Sequence, residues 1–158
     1  MDNDKKNILE GKTILAVDDE QDVIETLDDL LSMCKMTTAT TFKEAWELIG
    51  SRYFDFVILD IMGVDGYRLL GLTKERGLTA VMLTAHALSP ENLIKSYDEG
   101  AALYIPKDEL INIQQYLVDV LEAKEAKKST WWRWRQRFEG FFGARFEGEW
   151  QEFDKTNH

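Results

Sequence analysis

Short runs of apolar and β-branched residues alternate along this chain with stretches in which apolar residues recur every three or four positions. The runs cover residues 12–17, 36–41, 56–59, 79–84 and 101–105. Each is too short for a core helix and rich in β-branched or aromatic residues, so each predicts a strand. In Phe56-Val57-Ile58-Leu59 no polar residue interrupts the run, which points to a strand covered on both faces, as in a parallel sheet. The helical stripes lie between the runs. Val23, Ile24, Leu27, Leu30, Leu31 and Cys34 form the first, and Phe42, Ala45, Trp46 and Ile49 the second, which Gly50 ends and in which Trp46 is assigned to the core. A third spans 67–76 with Leu69, Leu70 and Leu72 and closes at Gly77. A fourth opens at Ser89-Pro90 and runs to Gly100. The last has Asp108 as its cap, shows Leu110, Ile113, Leu117, Val120 and Leu121 on one face, and continues as a helix without a core stripe through residue 128. Five strands alternating with five helices predict an α/β fold: a five-stranded parallel sheet with helices on both faces and right-handed crossovers.

The strand ends carry the candidate chemistry. The first run ends on Asp18 and Asp19, with Glu20 next, the third on Asp60, the fourth on Thr84, and the fifth leads to Lys107. In a parallel sheet these ends share one edge, where ligands bind in open α/β folds. Gly63 and Gly66 mark a turn behind Asp60. Carboxylates crowded together repel unless a cation is present, and oxygen-only ligands of this kind suit Mg²⁺ with phosphate oxygens. A lysine opposite them pairs with an anion as a compact charge. A Thr hydroxyl donates to it, and a carboxylate is available as nucleophile. Helix caps are the plainer reading of the three aspartates, and three of them at matching strand ends argue against it.

Composition narrows the setting. The net charge is −10, which excludes free nucleic acid as a partner. Residues 1–130 carry all of it, because Lys and Arg balance Asp and Glu in 131–158. Cys34 is the one cysteine, so no internal disulfide forms, as expected in a reducing cytoplasm. The opening residues are polar, without the apolar stretch of a secretory signal, and no run approaches a membrane span.

Four pieces now stand in order: Ile14-Leu15-Ala16-Val17-Asp18-Asp19-Glu20, Val57-Ile58-Leu59-Asp60-Ile61-Met62 with Asp65-Gly66, Val81-Met82-Leu83-Thr84-Ala85, and Gly100-Ala101 through Tyr104-Ile105-Pro106-Lys107. With these pieces the chain resembles a two-component response-regulator receiver domain over residues 11–122. The resemblance implies a flavodoxin-like (βα)5 fold and a phosphoacceptor at Asp60, loaded by a sensor histidine kinase or histidine phosphotransfer protein. It implies Mg²⁺ held directly by Asp19, Asp60 and the Met62 backbone carbonyl, with Asp18 acting through water. It makes Thr84, Ala85, Lys107 and Tyr104 the phosphate-binding and switch residues, with Thr84 swinging toward the phosphate and Tyr104 following inward. It also implies a downstream protein target. Two features depart from the family pattern. The loop after Asp60 is about two residues short and lacks proline. Pro106-Lys107-Asp108 replaces the usual Lys-Pro and sets an extra acid beside the lysine. Thr84 read alone is an ordinary strand residue, Tyr104 serves core and switch readings equally, and His86 reads as a loop histidine.

The chain therefore divides into a lead (1–10), the receiver (11–122), a helical linker (123–130) and an extension (131–158). The extension holds four of the five Trp and five of the eight Phe, interleaved with Arg133, Arg135 and Arg137. Such a strip needs cover. It folds back on the acidic receiver, pairs with a second copy or a partner protein, or lies on a membrane surface, and protein contact is favoured over membrane. It carries no helix-turn-helix pattern, so a DNA-binding output is not expected. Three functions remain open. The first is a phosphoreceiver that switches protein binding and is not an enzyme beyond slow hydrolysis of its own phosphoaspartate. The second is a receiver-shaped scaffold that is never phosphorylated and works through its tail. The third is a Mg²⁺-dependent phosphatase, disfavoured because Ile61-Met62 stands where Asp-x-Asp-x-Thr would be needed.

Overall fold

The structure, a computed structural model, describes residues 8–85 and 90–126. The elements in chain order are β1 (Thr13–Val17), α1 (Gln21–Leu30), β2 (Lys35–Ala39), α2 (Phe42–Ser51), β3 (Phe56–Asp60), α3 (Gly66–Glu75), β4 (Ala80–Thr84), α4 (Pro90–Asp98), β5 (Leu103–Pro106), a 3-10 segment (Lys107–Asn112) and α5 (Ile113–Glu125). The sheet has five parallel strands in the order β2-β1-β3-β4-β5. This is the predicted α/β receiver architecture. The chain reverses direction across the sheet between β1 and β3, so the crevice outside their carboxyl ends is the switch point where such folds bind ligands.

Burial follows the pattern read from the sequence. Every residue of β3 and β4 is buried, consistent with helices on both faces. β2 is an edge strand, with Lys35 and Thr38 exposed, as edges that must stay unpaired require. The helices close the two faces with Val23, Ile24 and Leu27 from α1, Leu69 and Leu70 from α3, and Ile113, Leu117 and Val120 from α5. Leu9, within the stretch read as a lead, is fully buried, and Cys34 Sγ donates to its carbonyl at 3.3 Å. Ala123, assigned to the linker, is buried on α5.

Several local expectations are corrected. Gly50 does not end α2. The helix continues through Ser51, and the Arg52 amide closes it on the Leu48 carbonyl. Trp46 is not core: it is 42 % exposed and lies against the Phe42 ring at 5.4 Å, because Ala45 and Ile49 form the buried stripe. The strand expected over 36–41 stops at Ala39, freeing Thr41 to cap α2, where its hydroxyl oxygen accepts from the Glu44 amide. Asp108 does not cap the last helix. It lies inside the 3-10 segment, and Asn112 precedes α5 without a side-chain cap. Gly77 and Gly100, read from the sequence as the ends of their helices, follow α3 and α4 with left-handed backbone. Among the described residues no helix is long and apolar enough to cross a membrane. The expectations for Ser89, His86, residues 127–130 and the 131–158 extension lie outside the described residues.

Candidate functional site

At the carboxyl edge of the sheet two of the predicted residues, Asp18 and Asp60, meet the ammonium of a third, Lys107. Asp60 is the last residue of β3 and only 4 % exposed, because Ile61 continues the strand pairing with the Leu83 carbonyl. Asp18 follows β1 directly and is fully buried, its amide still paired to Ala39 at 3.1 Å. Lys107 follows β5. Its Nζ lies 2.9 Å from Asp18 Oδ2, 3.2 Å from Asp60 Oδ1 and 3.1 Å from Glu20 Oε1. Three carboxylates from two places in the chain thus converge on one cation. Each remaining oxygen of the buried pair accepts from a backbone amide: Asp18 Oδ1 from Glu20 at 2.9 Å, and Asp60 Oδ2 from Gly63 at 3.0 Å. Buried charges persist only with such partners.

The electrostatics are those of a strained but compensated cluster. Burial alone would push the Lys107 ammonium down, but the bonds it donates to Asp18 and Glu20 and the charges of Asp18 and Asp60 hold it well above the usual lysine range. Burial pushes the Asp18 carboxyl above its ordinary value, the nearby Asp60 adds to this, and the Glu20 amide and Lys107 oppose both. Lysine remains charged across the neutral range, with acidic charge in excess around it.

The donor set fits a hard divalent cation. Carboxylate oxygens of Asp18, Asp19 and Glu20 lie within 4.8 Å of one another, and oxygen donors at the mouth of an acidic crevice are the ligands Mg²⁺ takes. Asp60 adjoins this group through Lys107, and through Gly63, against whose Cα the Asp19 carboxylate packs. Met62 lies on the loop directly after β3, with its side chain 76 % exposed. Thr84 ends β4 and is buried, with Ala85 exposed just beyond. Ala85, Lys107 and Glu20 open onto a groove of ≈ 480 Å³ floored by Val23, Leu30 and Leu110. Tyr104, paired with Met82 across β4 and β5, is fully buried.

Two residues of this site were missed by the sequence reading. In the sequence Glu20 is only the third acid of a run, with nothing to assign it a role. Gly63 was read only as part of a turn. The signal for Glu20 was its place beside Asp18-Asp19; nothing in the sequence announces the contact of Gly63 with Asp19.

The family model described as "Response regulator receiver domain" matches residues 14–119. The chain belongs to that family. Among its relatives, the two-component response regulator ARR10 of Arabidopsis thaliana is 35 % identical over 131 residues, covering 76 % of this chain and 24 % of that protein. ARR12 of the same plant is 37 % identical over 119 residues, 68 % and 20 % of the two chains. This receiver chain thus spans about a quarter or less of the curated relatives it matches. Among solved structures, a CheY-like receiver domain protein from Methanospirillum hungatei is 27 % identical with a TM-score of 0.61, over 72 % of this chain and 98 % of that one. A response regulator from Thermotoga maritima matches with a TM-score of 0.64 at 19 % identity, over 71 % and 98 % of the chains, a likeness of fold alone. Receiver domains act in two-component signalling with histidine kinases or phosphotransfer proteins and bind Mg²⁺ at an acidic pocket.

Proposed function

We propose that this receiver is a phosphoacceptor. Asp60 takes a phosphoryl group from the phosphohistidine of a sensor histidine kinase or histidine phosphotransfer protein, and the phosphorylated form signals by binding a downstream protein. The observation that carries this reading is a nearly buried carboxylate at the end of β3 with an ammonium 3.2 Å away. A carboxylate with no such neighbour would be an ordinary cap; here its charge is compensated, and a second anion entering beside it would meet Lys107.

Each residue has a part. An Asp60 oxygen forms a bond to phosphorus as the phosphorus–nitrogen bond breaks, and that electron pair stays on the imidazole, which takes up a proton. Lys107 pairs with the incoming phosphoryl oxygens, exchanging part of its hold on Asp18 and Glu20 for them. The Thr84 hydroxyl and the Ala85 backbone amide donate to the same group from the end of β4. Asp19, Asp60 and the Met62 carbonyl would hold Mg²⁺, with Asp18 through water and Glu20 at the rim. When bound, that ion neutralises charge on the transferring group. The switch reading has Thr84 move toward the phosphate and Tyr104 follow. The Tyr104 ring is already inside here, so an outward ring belongs to another state of the molecule. The reading places the protein in the cytoplasm, and fold-back or pairing through residues 131–158 remains part of it as a means of output.

The test is incubation of the full chain with Mg²⁺ and a small acyl phosphate, followed by intact-mass measurement. A single phosphoryl adduct that is absent in Asp60→Asn is expected. No adduct in either protein would favour a scaffold, and multiple turnover on phosphoesters would favour a phosphatase.

A further inference from the structure

Gly63 stands three residues after Asp60, in the shortened loop between β3 and α3. Its backbone is not the reason for a glycine. The described glycines with left-handed φ are Gly11, Gly77 and Gly100, and Gly63 is not among them, so its conformation is open to any residue. Space is the reason. A Cβ at this position would stand 2.5 Å from Asp19 Cγ, 2.6 Å from Asp19 Oδ2 and closer still to Oδ1. The group that would have to give way is an exposed side-chain end rather than packed backbone. It would rotate outward at small cost to the fold, and the whole effect would fall on where the carboxylate sits. The same residue reaches the phosphoacceptor from its other side, its amide donating to Asp60 Oδ2 at 3.0 Å. One residue therefore touches both carboxylates expected to share a cation.

We propose that Gly63 is a positioning residue of the phosphoacceptor site: its amide fixes Asp60, and its missing side chain leaves the space in which the Asp19 carboxylate stands beside it. This rests on the function proposed above. A side chain at 63 is excluded by Mg²⁺ binding, not by folding. It also gives a physical reason for a glycine in a loop that departs from the family's usual length: with fewer residues between Asp60 and Asp65-Gly66, the backbone is drawn against Asp19.

The test is calorimetric titration of the unphosphorylated full chain with Mg²⁺, together with melting temperatures in its absence. The proteins are the wild type, Gly63→Ala, Asp19→Ala and the double variant. Gly63→Ala should weaken Mg²⁺ binding about tenfold or more, the loss usual when a ligand's support is disturbed. Its melting temperature should stay at the wild-type value, and the double variant should melt with Asp19→Ala. Wild-type Mg²⁺ affinity in Gly63→Ala overturns the proposal. So does a melting temperature lowered alike in both backgrounds, which would mark Gly63 as a need of the loop itself. The adduct assay keeps the two readings apart. An adduct abolished by Asp60→Asn, with Mg²⁺ binding unaffected by Gly63→Ala, sinks only the positioning role. Mg²⁺ binding without any adduct sinks the phosphoacceptor and leaves the Gly63 comparison readable. A wild type that binds no Mg²⁺ overturns both.

Discussion

Lys107 is the residue on which the cluster's charge converges, and its removal should be felt in the fold as well as in the site. Lys107→Ala would leave Asp18 and Asp60 buried with no countercharge, and breaking a buried pair in this way costs about 3 kcal/mol. Urea melts near neutral pH should show that loss, and Mg²⁺ should recover part of it; an unchanged midpoint would contradict the pairing. The pH sign follows from the direction of the shift. Because the folded ammonium holds its proton above the ordinary value of 10.5, its contribution is full below that value and fades as pH rises through the higher folded value. Cys34 makes a second prediction. Burial first, and the charge of Asp55 second, push its thiol up to about 11 from 9.0. Its small stabilising contribution is therefore present below the ordinary thiol value and lost as pH passes about 11. An aromatic disulfide reagent should react slowly with the folded protein at pH 8, far faster in urea, and faster in the native state as pH climbs. Equal rates folded and unfolded would contradict the shift. At this scale Asp18, Asp60 and Lys107 were legible because each sits at a strand end, where a parallel sheet dictates shared position. Glu20 was not, since it lies two residues beyond Asp18 with a largely exposed side chain, which reads as ordinary surface acid. The contact of Gly63 arises only when two loops meet in space.

Among the elements, local capping chemistry decides most boundaries. Thr41 accepts from the Glu44 amide at 3.2 Å, and its hydroxyl donates to Glu44 Oε1 at 3.0 Å, fixing the start of α2. Thr41→Ala should cost about 1 kcal/mol in a denaturant melt; no change would mean the cap is idle. The sequence pointed to a strand through 41 because Thr37, Thr38, Thr40 and Thr41 are β-branched, yet a threonine serves a strand and a cap equally well. Asp108 was misplaced for the converse reason. An acid after Pro106-Lys107 looks like a cap, but it lies inside a six-residue stretch of tighter helix, Lys107–Asn112, that precedes α5. Trp46 keeps the helical spacing of its neighbours, but spacing does not say how wide the buried stripe is, and its helix packs on β2, the sheet's edge.

At the scale of the whole molecule, the sheet's centre carries the stability and its carboxyl edge the candidate site. Ile58 lies in the middle of β3, fully buried between β1 and β4. Ile58→Ala should cost about 3 kcal/mol, a large part of the stability of a domain this size, and a loss well under 1 kcal/mol would contradict the packing described here. Alternation of short apolar runs with amphipathic stretches was enough to specify a parallel α/β sheet. Strand order was not in that pattern; it followed from the receiver resemblance, because periodicity shows what each segment is and not which neighbour it pairs with. A carboxyl edge built in this way should direct a phosphoryl group to Asp60. The most direct measurement is to phosphorylate the full chain with a small acyl phosphate and Mg²⁺, reduce the acyl phosphate with borohydride, and locate the resulting homoserine by peptide mapping. Homoserine is expected at position 60 and nowhere else. Homoserine at position 18 or 19 instead, or at no position in a chain that binds Mg²⁺, would contradict it.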